Sequence, residues 1–276
     1  MATLNVAAIQ MRSGRNPADN IAFLRDHVAQ AADSATYIQT PEMTGLLVRD
    51  KAEMLAKVRK QKDDPLLIEA ALLAKDFKVY LHIGSTAVLL DDGKIANRAF
   101  LFGPKGELIT IYDKIHMFDV DLDNGESWRE SATYTAGNRA VVADTKIGKI
   151  GFGICYDVRF PHLFREEALA GAEILTAPAA FTKQTGEAHW HSLQCSRAIE
   201  NGAFMISAAQ AGTHEDGRHT YGHSMIVNPW GEVVAEANGK DTDIIYAEID
   251  LAEVAAARKK IPNLKNGRAF SLDVVS

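Results

Sequence analysis

The residue in this chain best suited to covalent chemistry is Cys155. It follows the run 148–154, Gly-Lys-Ile-Gly-Phe-Gly-Ile, and precedes Tyr156-Asp157-Val158-Arg159-Phe160-Pro161. The run reads as a strand and the segment after it as a sharp turn into a helix. A thiol at such a corner lies near helix-terminal N–H groups, which lower a thiol pKa and can donate to an oxyanion. The competing reading is a structural core cysteine, a common fate of this residue, and local sequence leaves both open. Gly151 and Gly153 lack the third glycine of a dinucleotide fingerprint, so no nucleotide site is expected.

Two distant charges bear on the choice. Glu42 follows Pro41 at the end of a short strand, and Lys114 follows another strand at the entrance to the long segment 113–138. Singly, each reads as a solvated surface charge. Together, a carboxylate, an ammonium and a thiol at three strand ends make a set able to cleave an amide.

Such side chains need strands that end in the right places. Residues 4–9 read as a buried strand, and Asn16-Pro17 opens a helix to about residue 32, with Ile21, Phe23, Leu24 and Val28 near helical spacing. A short strand at 37–39 precedes Pro41-Glu42, Pro65 opens a helix to 77, and 79–84 is a strand. Strands at 87–90, 95–102 and 108–112 are joined by Asp91-Asp92-Gly93 and Gly103-Pro104-Lys105-Gly106, which are turn sequences. The second half repeats the mixture: strand 149–155, helix 163–170, strand 173–177, helix 187–201 and strand 203–208. A hairpin of 223–227 with 232–235, a strand at 244–249 and a helix from about 251 close the chain. No linker or low-complexity tract interrupts it. The pattern predicts one α+β domain over 1–276, with two sheets face to face and helices outside. The segment 113–138 is long for a loop in a compact domain, and such loops are usually functional or disordered.

Composition narrows the class. The 276 residues are 47% hydrophobic and 24% charged, with a net charge of −6, so nothing points to nucleic-acid or anionic-membrane binding. No window approaches the roughly 18–20 apolar residues that cross a bilayer, and the start lacks the features of a secretory signal. Two cysteines, Cys155 and Cys195, make no disulfide framework, so a reducing cytoplasm is the expected location.

Over nearly its full length the chain resembles the nitrilase superfamily of carbon–nitrogen hydrolases. The matching segments are Val6-Ala7-Ala8-Ile9-Gln10-Met11, Pro41-Glu42, residues 112–120 (Tyr-Asp-Lys-Ile-His-Met-Phe-Asp-Val) and residues 153–161 around Cys155. Residues 185–190, 197–201 and 221–231 match further downstream. The resemblance implies a four-layer α-β-β-α sandwich and assigns a Glu–Lys–Cys triad to Glu42, Lys114 and Cys155. The family's second glutamate maps onto Glu130, with Glu126 as the competing position. Thr40, in place of the usual large apolar residue, and His82, in an otherwise apolar strand, are departures that leave the triad untouched.

The implied chemistry is amide hydrolysis through a Cys155 thioester. Glu42 acts as base, Lys114 and the Tyr156 N–H stabilise the oxyanion, and Glu130 positions Lys114. No metal or organic cofactor is expected. Arg159 can read a substrate carboxylate bidentately; the alternative is a salt bridge to Asp157, Glu166 or Glu167. Phe181 and Thr185 are carried over as pocket-lining residues.

His189, His191 and Cys195 suggest a metal only weakly, because 189 and 191 do not share a helix face. His189 and Trp190 are expected beneath the pocket, Cys195 in the core, and Lys259-Lys260 at a solvated helix end. The downstream segments resemble the deaminated glutathione amidase and omega-amidase branches. They imply a small acidic amide as partner, with a nitrile as the less favoured substrate. Carbamoylase or a non-catalytic scaffold are the other readings. The resemblance also implies pairing through the helices into a homodimer or higher oligomer.

Overall fold

The computed structural model describes residues 3–122, 125 and 127–275. The first half contains β1 (Leu4–Gln10), α1 (Pro17–Ala32), β2 (Tyr37–Gln39), α2 (Lys51–Lys57), α3 (Pro65–Phe77), β3 (Tyr80–Leu89), β4 (Ile95–Phe102) and β5 (Leu108–Asp113). A small hairpin, β6 (Asp119–Asp121) with β7 (Ser127–Arg129), leads to β8 (Val142–Thr145) and β9 (Gly148–Phe152). Then come α4 (Pro161–Leu169), β10 (Ile174–Thr176), α5 (Lys183–Asn201), β11 (Phe204–Ser207) and the hairpin β12 (Ala211–Thr213) with β13 (His219–Tyr221). The chain closes with β14 (Met225–Val227), β15 (Val233–Glu236), β16 (Asp243–Ile249) and α6 (Ala252–Lys260).

Two six-stranded sheets form, in the orders β16-β1-β2-β3-β4-β5 and β15-β14-β11-β10-β9-β8. In each, the central strands run parallel (β1, β2, β3 and β9, β10, β11) and the flanking strands antiparallel. The period of two along β1 shows how the layers stack. Val6 and Ala8 enter the core between the sheets with Phe152, Ile174 and Ile206. Ala7 and Ile9 pack outward against Leu24 and Val28 of α1 and Leu66 and Ala70 of α3. A strand buried on both faces has no polar alternation to show, hence the nearly continuous apolar run at 4–9. On the far side, Phe164 of α4 and Trp190 and Ala198 of α5 cover the second sheet. The result is the four-layer α-β-β-α sandwich expected from the sequence.

Caps explain the helix starts. Asn16 accepts from Ala18 N and Asp64 from Leu66 N, each just ahead of a proline in the first turn. Several boundaries differ from the sequence reading. The runs at 79–84 and 87–90 are one strand, β3, with an irregularity between Ile83 and Thr86. Its cause is Gly84, where a Cβ would lie 2.1 Å from the Thr40 carbonyl oxygen and 2.5 Å from Pro178 Cβ. Only glycine admits so close an approach, and it lets the backbone ahead of Glu42 press against β3. The strand expected to reach Cys155 stops at Phe152, and α5 begins at Lys183 rather than at 187. The segment 113–138 holds the β6–β7 hairpin and a short 3-10 turn, Glu130–Ala132.

A polar cluster sits between the sheets. Tyr37 Oη lies 2.8 Å from His82 Nδ1, and Gln39 Nε2 donates toward the same nitrogen at 3.3 Å. Gln39 Oε1 accepts from Ala208 N of the opposite sheet at 2.7 Å. Burial pushes the His82 pKa down from 6.5 to about 3. Between those values the unfolded chain binds a proton that the folded one refuses, so acid favours unfolding. His82 is therefore expected to remove about 1.4 kcal/mol of stability per pH unit as pH falls from 6.5 towards 3. Denaturant titrations across that window should show a shallower slope for His82→Gln, by one proton's worth. Identical slopes would refute the assignment.

Candidate active site

Glu42, Lys114 and Cys155, the residues expected to form a triad, stand just beyond the carboxyl ends of β2, β5 and β9, two from one sheet and one from the other. Each is set by local chemistry. The Glu42 backbone is fixed by Gln210, whose Nε2 donates to the Glu42 carbonyl at 3.0 Å, and by Ser85 Oγ, which accepts from Met43 N at 3.0 Å. Lys114 N donates to the Asn97 carbonyl across to β4 at 3.0 Å. Cys155 opens a 3-10 turn, Cys155–Arg159, whose anchor is the buried Asp157 carboxylate. Asp157 accepts from Tyr112 Oη (2.7 Å), Ile154 N (2.9 Å), His116 N (3.0 Å) and His116 Nδ1 (2.7 Å). Asp157 is thus engaged with Tyr112 and His116, not with Arg159. Cys155 itself has φ +51°, a left-handed conformation that costs a non-glycine residue about 1–3 kcal/mol and recurs at functional sites.

The side chains meet in one buried cluster. Lys114 Nζ donates to Glu42 Oε1 at 3.0 Å and to Glu130 Oε1 and Oε2 at 3.0 and 2.8 Å. Asn97 Nδ2 donates to both glutamates, at 2.9 and 3.1 Å. Glu42 Oε2 accepts from Ala180 N at 2.8 Å, and Glu130 Oε2 from Phe118 N at 2.7 Å. The Cys155 thiol faces Glu42 closely enough to share a hydrogen bond, and the Ala180 N–H is near the sulfur as well. Glu130, like Glu42, therefore reaches Lys114; Glu126 lies outside the described residues.

These contacts set the protonation states. Burial pushes Glu42 up, but the Lys114 charge and hydrogen bonds from Cys155, Lys114 and Asn97 outweigh it and hold the carboxyl below its usual range. Burial pulls Lys114 down, yet the charges of Glu130, Glu42 and Cys155 hold it well above an ordinary lysine. Burial and the Glu42 carboxylate raise the Cys155 thiol well above its usual value, against the pull of Lys114. At neutral pH the resting site is thiol, carboxylate and ammonium, the pattern of a nucleophile awaiting a general base. Near the sulfur, Cys155 N donates to Pro178 O and Asp157 N to Ile154 O. The Tyr156 N–H between them has no backbone acceptor among the described residues.

The cluster lies in the wall of a cavity of about 250 Å³ that Phe118, Trp128, Tyr134, Tyr156, Phe181 and Thr185 also line. Of the expected substrate contacts, Tyr156, Phe181 and Thr185 are in that wall and Arg159 is not. The 3-10 turn carries Arg159 past the cavity, so that its guanidinium lies over the rings of Tyr156 (5.9 Å) and Phe181 (5.3 Å), with Nη1 3.3 Å from His189 Nδ1. Among the described residues it has no carboxylate partner; the expected alternatives Asp157, Glu166 and Glu167 do not take it up. Trp190 packs beneath the pocket against Phe181, ring centroids 4.9 Å apart, whereas His189 is exposed rather than buried. Cys195 is half-buried against the core and both cysteines are free.

His189, His191 and Cys195 do not converge. Instead His191, His223 and Glu236 bring potential metal donors within 4.8 Å of one another. Both imidazoles there already bind the same oxygen, Glu236 Oε1, at 2.8 and 2.6 Å, and none of the three lines the reactive cavity.

Sequence reasoning did not find Asn97 or the Ala180 N–H. The only signal for Asn97 is an uncharged polar side chain in the run 95–102, where Arg98 is the one other polar residue, and a backbone donor leaves none.

Residues 5–259 match the family model described as carbon-nitrogen hydrolase. The chain belongs to that family. The Yersinia enterocolitica protein named deaminated glutathione amidase is 38% identical over 274 residues, spanning 98% of this chain and 95% of its own. The human omega-amidase NIT2 is 35% identical over 272 residues, spanning 98% and 96%. The crystal structure of Saccharomyces cerevisiae Nit3, of branch 10 of the nitrilase superfamily, superposes with a TM-score of 0.85 at 30% identity over 94% of each chain. Carbon–nitrogen hydrolase membership thus agrees with both the fold and the cluster at its centre.

Proposed function

We propose that this amidase hydrolyses deaminated glutathione to 2-oxoglutarate and cysteinylglycine through a thioester on Cys155. The observation that carries the mechanism is the Lys114 ammonium held between Glu42 and Glu130, with the same Glu42 facing the thiol. Glu42 takes the thiol proton as the sulfur attacks the amide carbon. The oxyanion is met by Lys114 and the Tyr156 N–H, each such donor contributing about 2.7–4 kcal/mol. The proton on Glu42 passes to the departing nitrogen, and the C–N bond breaks. Glu42 then deprotonates a water, which attacks the thioester; the proton returns to the sulfur and the acid leaves. Glu130 orients Lys114, and Asn97 fixes both glutamates. Arg159, stacked behind Tyr156 and Phe181 of the wall, attracts the carboxylate on the acyl side through its charge rather than by direct contact.

The substrate reading rests on the amidase named for deaminated glutathione among the relatives. A second reading, omega-amidase action on 2-oxoglutaramate, is favoured by similar identity to relatives of that name. Purified protein should release cysteinylglycine and 2-oxoglutarate from deaminated glutathione. Release of ammonia from 2-oxoglutaramate, with no turnover of the dipeptidyl amide, would move the assignment to omega-amidase.

Two further elements belong to the proposal. A homodimer would cover the exposed apolar side chains Leu169 of α4 and Ile199 of α5, and two free thiols suit a reducing cytoplasm. No helix among the described residues is long and apolar enough to cross a membrane.

A further inference from the structure

The same cavity holds a second concentration of positive charge that the chemical step does not use. Arg49, Trp128 and Arg218 all line it. They come from three separate segments: the stretch after Glu42, strand β7, and the turn between β12 and β13. Both guanidinium groups lie over the Trp128 indole, at 4.8 Å for Arg49 and 4.7 Å for Arg218. Two like charges gathered on one ring repel each other, and that cost is relieved when an anion binds between them.

Their donors are not all used. Arg218 forms an ion pair with Asp216 at 3.5 Å, but no hydrogen bond joins the two side chains. Arg218 Nε and Asp216 Oδ2 are both buried without a hydrogen-bond partner. Such an unsatisfied donor beside a cavity points to an occupant that supplies the acceptor. Arg49 has no carboxylate partner among the described residues. Arg129, in the same wall, differs: its guanidinium is taken up by Asp121 at 2.9 and 2.8 Å.

We propose that Arg49 and Arg218 form a subsite for a carboxylate on the leaving amine, at the opposite end of the substrate from the scissile carbonyl. This rests on the deaminated-glutathione reading and extends it. That substrate carries a carboxylate at each end, the 2-oxo acid on the acyl side and glycine on the leaving side, whereas 2-oxoglutaramate has only the first. The leaving side is set by Glu42. It protonates the departing nitrogen, so the amine leaves on the Glu42 side of the cavity, which Met43, Leu47, Val48 and Arg49 line as well. Tyr134 lines the same cavity, with its hydroxyl turned to the Met43 and Met54 sulfurs. Arg159, by contrast, stands on the side of Cys155, behind Tyr156 and Phe181.

The test compares deaminated glutathione with its C-terminal amide, which keeps the acyl side and removes only the distal charge. Wild-type enzyme should favour the free acid by about ten- to a hundred-fold in kcat/KM, the range of one charge-assisted hydrogen-bonding site, chiefly through KM. In Arg49→Gln/Arg218→Gln that preference should collapse to about one, whatever the overall rate. The wild-type comparison needs no variant, so it stands even where the double variant fails to fold. Equal turnover of acid and amide by the wild type overturns the subsite and leaves the substrate reading intact, and so does a preference that survives in the variant. Cleavage of 2-oxoglutaramate with neither dipeptidyl amide turned over sinks the substrate reading, and the subsite with it.

Discussion

Cys155→Ala should lower amide turnover by about 10⁴-fold or more while the protein stays folded. The sulfur makes the only covalent bond between protein and substrate in the proposed cycle, and no other described side chain in the cavity wall is a thiol. The fold does not depend on it. The turn is held by Asp157 and its four donors, and the ion cluster is closed by Lys114. Deleting one partly confined sulfur leaves a small void, at a cost of about 1 kcal/mol. The decisive readout is paired, turnover against thermal midpoint, with mass spectrometry of the wild type for an acyl adduct at Cys155. Turnover that persists in the variant would refute the mechanism.

Lys114→Ala should fail in both respects. Its ammonium is buried and lies 3.0 Å from Glu42 and 2.8 Å from Glu130. Removing it leaves two carboxylates facing an empty space in a low-dielectric site, and breaking a buried pair this way typically costs 3–5 kcal/mol. A lost oxyanion donor adds about 10²–10³ in rate. The diagnostic comparison is the neutral triple variant Glu42→Gln/Lys114→Met/Glu130→Gln. It should recover most of the stability by denaturant titration and none of the activity, because it removes the uncompensated charges along with the base. A Lys114→Ala protein as stable as wild type would mean that water already screens the cluster.

Much of this was legible in the sequence where a residue type has one good use. Pro17 and Pro65 after Asn16 and Asp64 announce helix starts that the caps confirm. Glu42, Lys114 and Cys155 are ambiguous singly, each a surface charge or a core cysteine on local context, and are expected together only through the family resemblance; the structure brings them into one cluster. What was hidden depends on approach between distant segments. Nothing around Gly84 says that Thr40 will press on it, so β3 read as two strands. Nothing around Arg159 says that a 3-10 turn will carry its side chain out of the cavity wall. Nothing around Asn97 says which two carboxylates it will bridge. Pairings across 33 and 55 residues are set by sheet register, which short-range periodicity does not report.

The proposed base and the proposed nucleophile belong to different sheets. Glu42 follows β2 in the first, and Cys155 follows β9 in the second. Their meeting requires both sheets to be complete and docked, with His82 and Gln39 reaching across the layer between. A chain emerging from the ribosome, or one in which only the first half has folded, carries its general base with no thiol to activate. Catalytic competence is therefore the last property the fold acquires, and the polypeptide is chemically silent until its two halves close on each other.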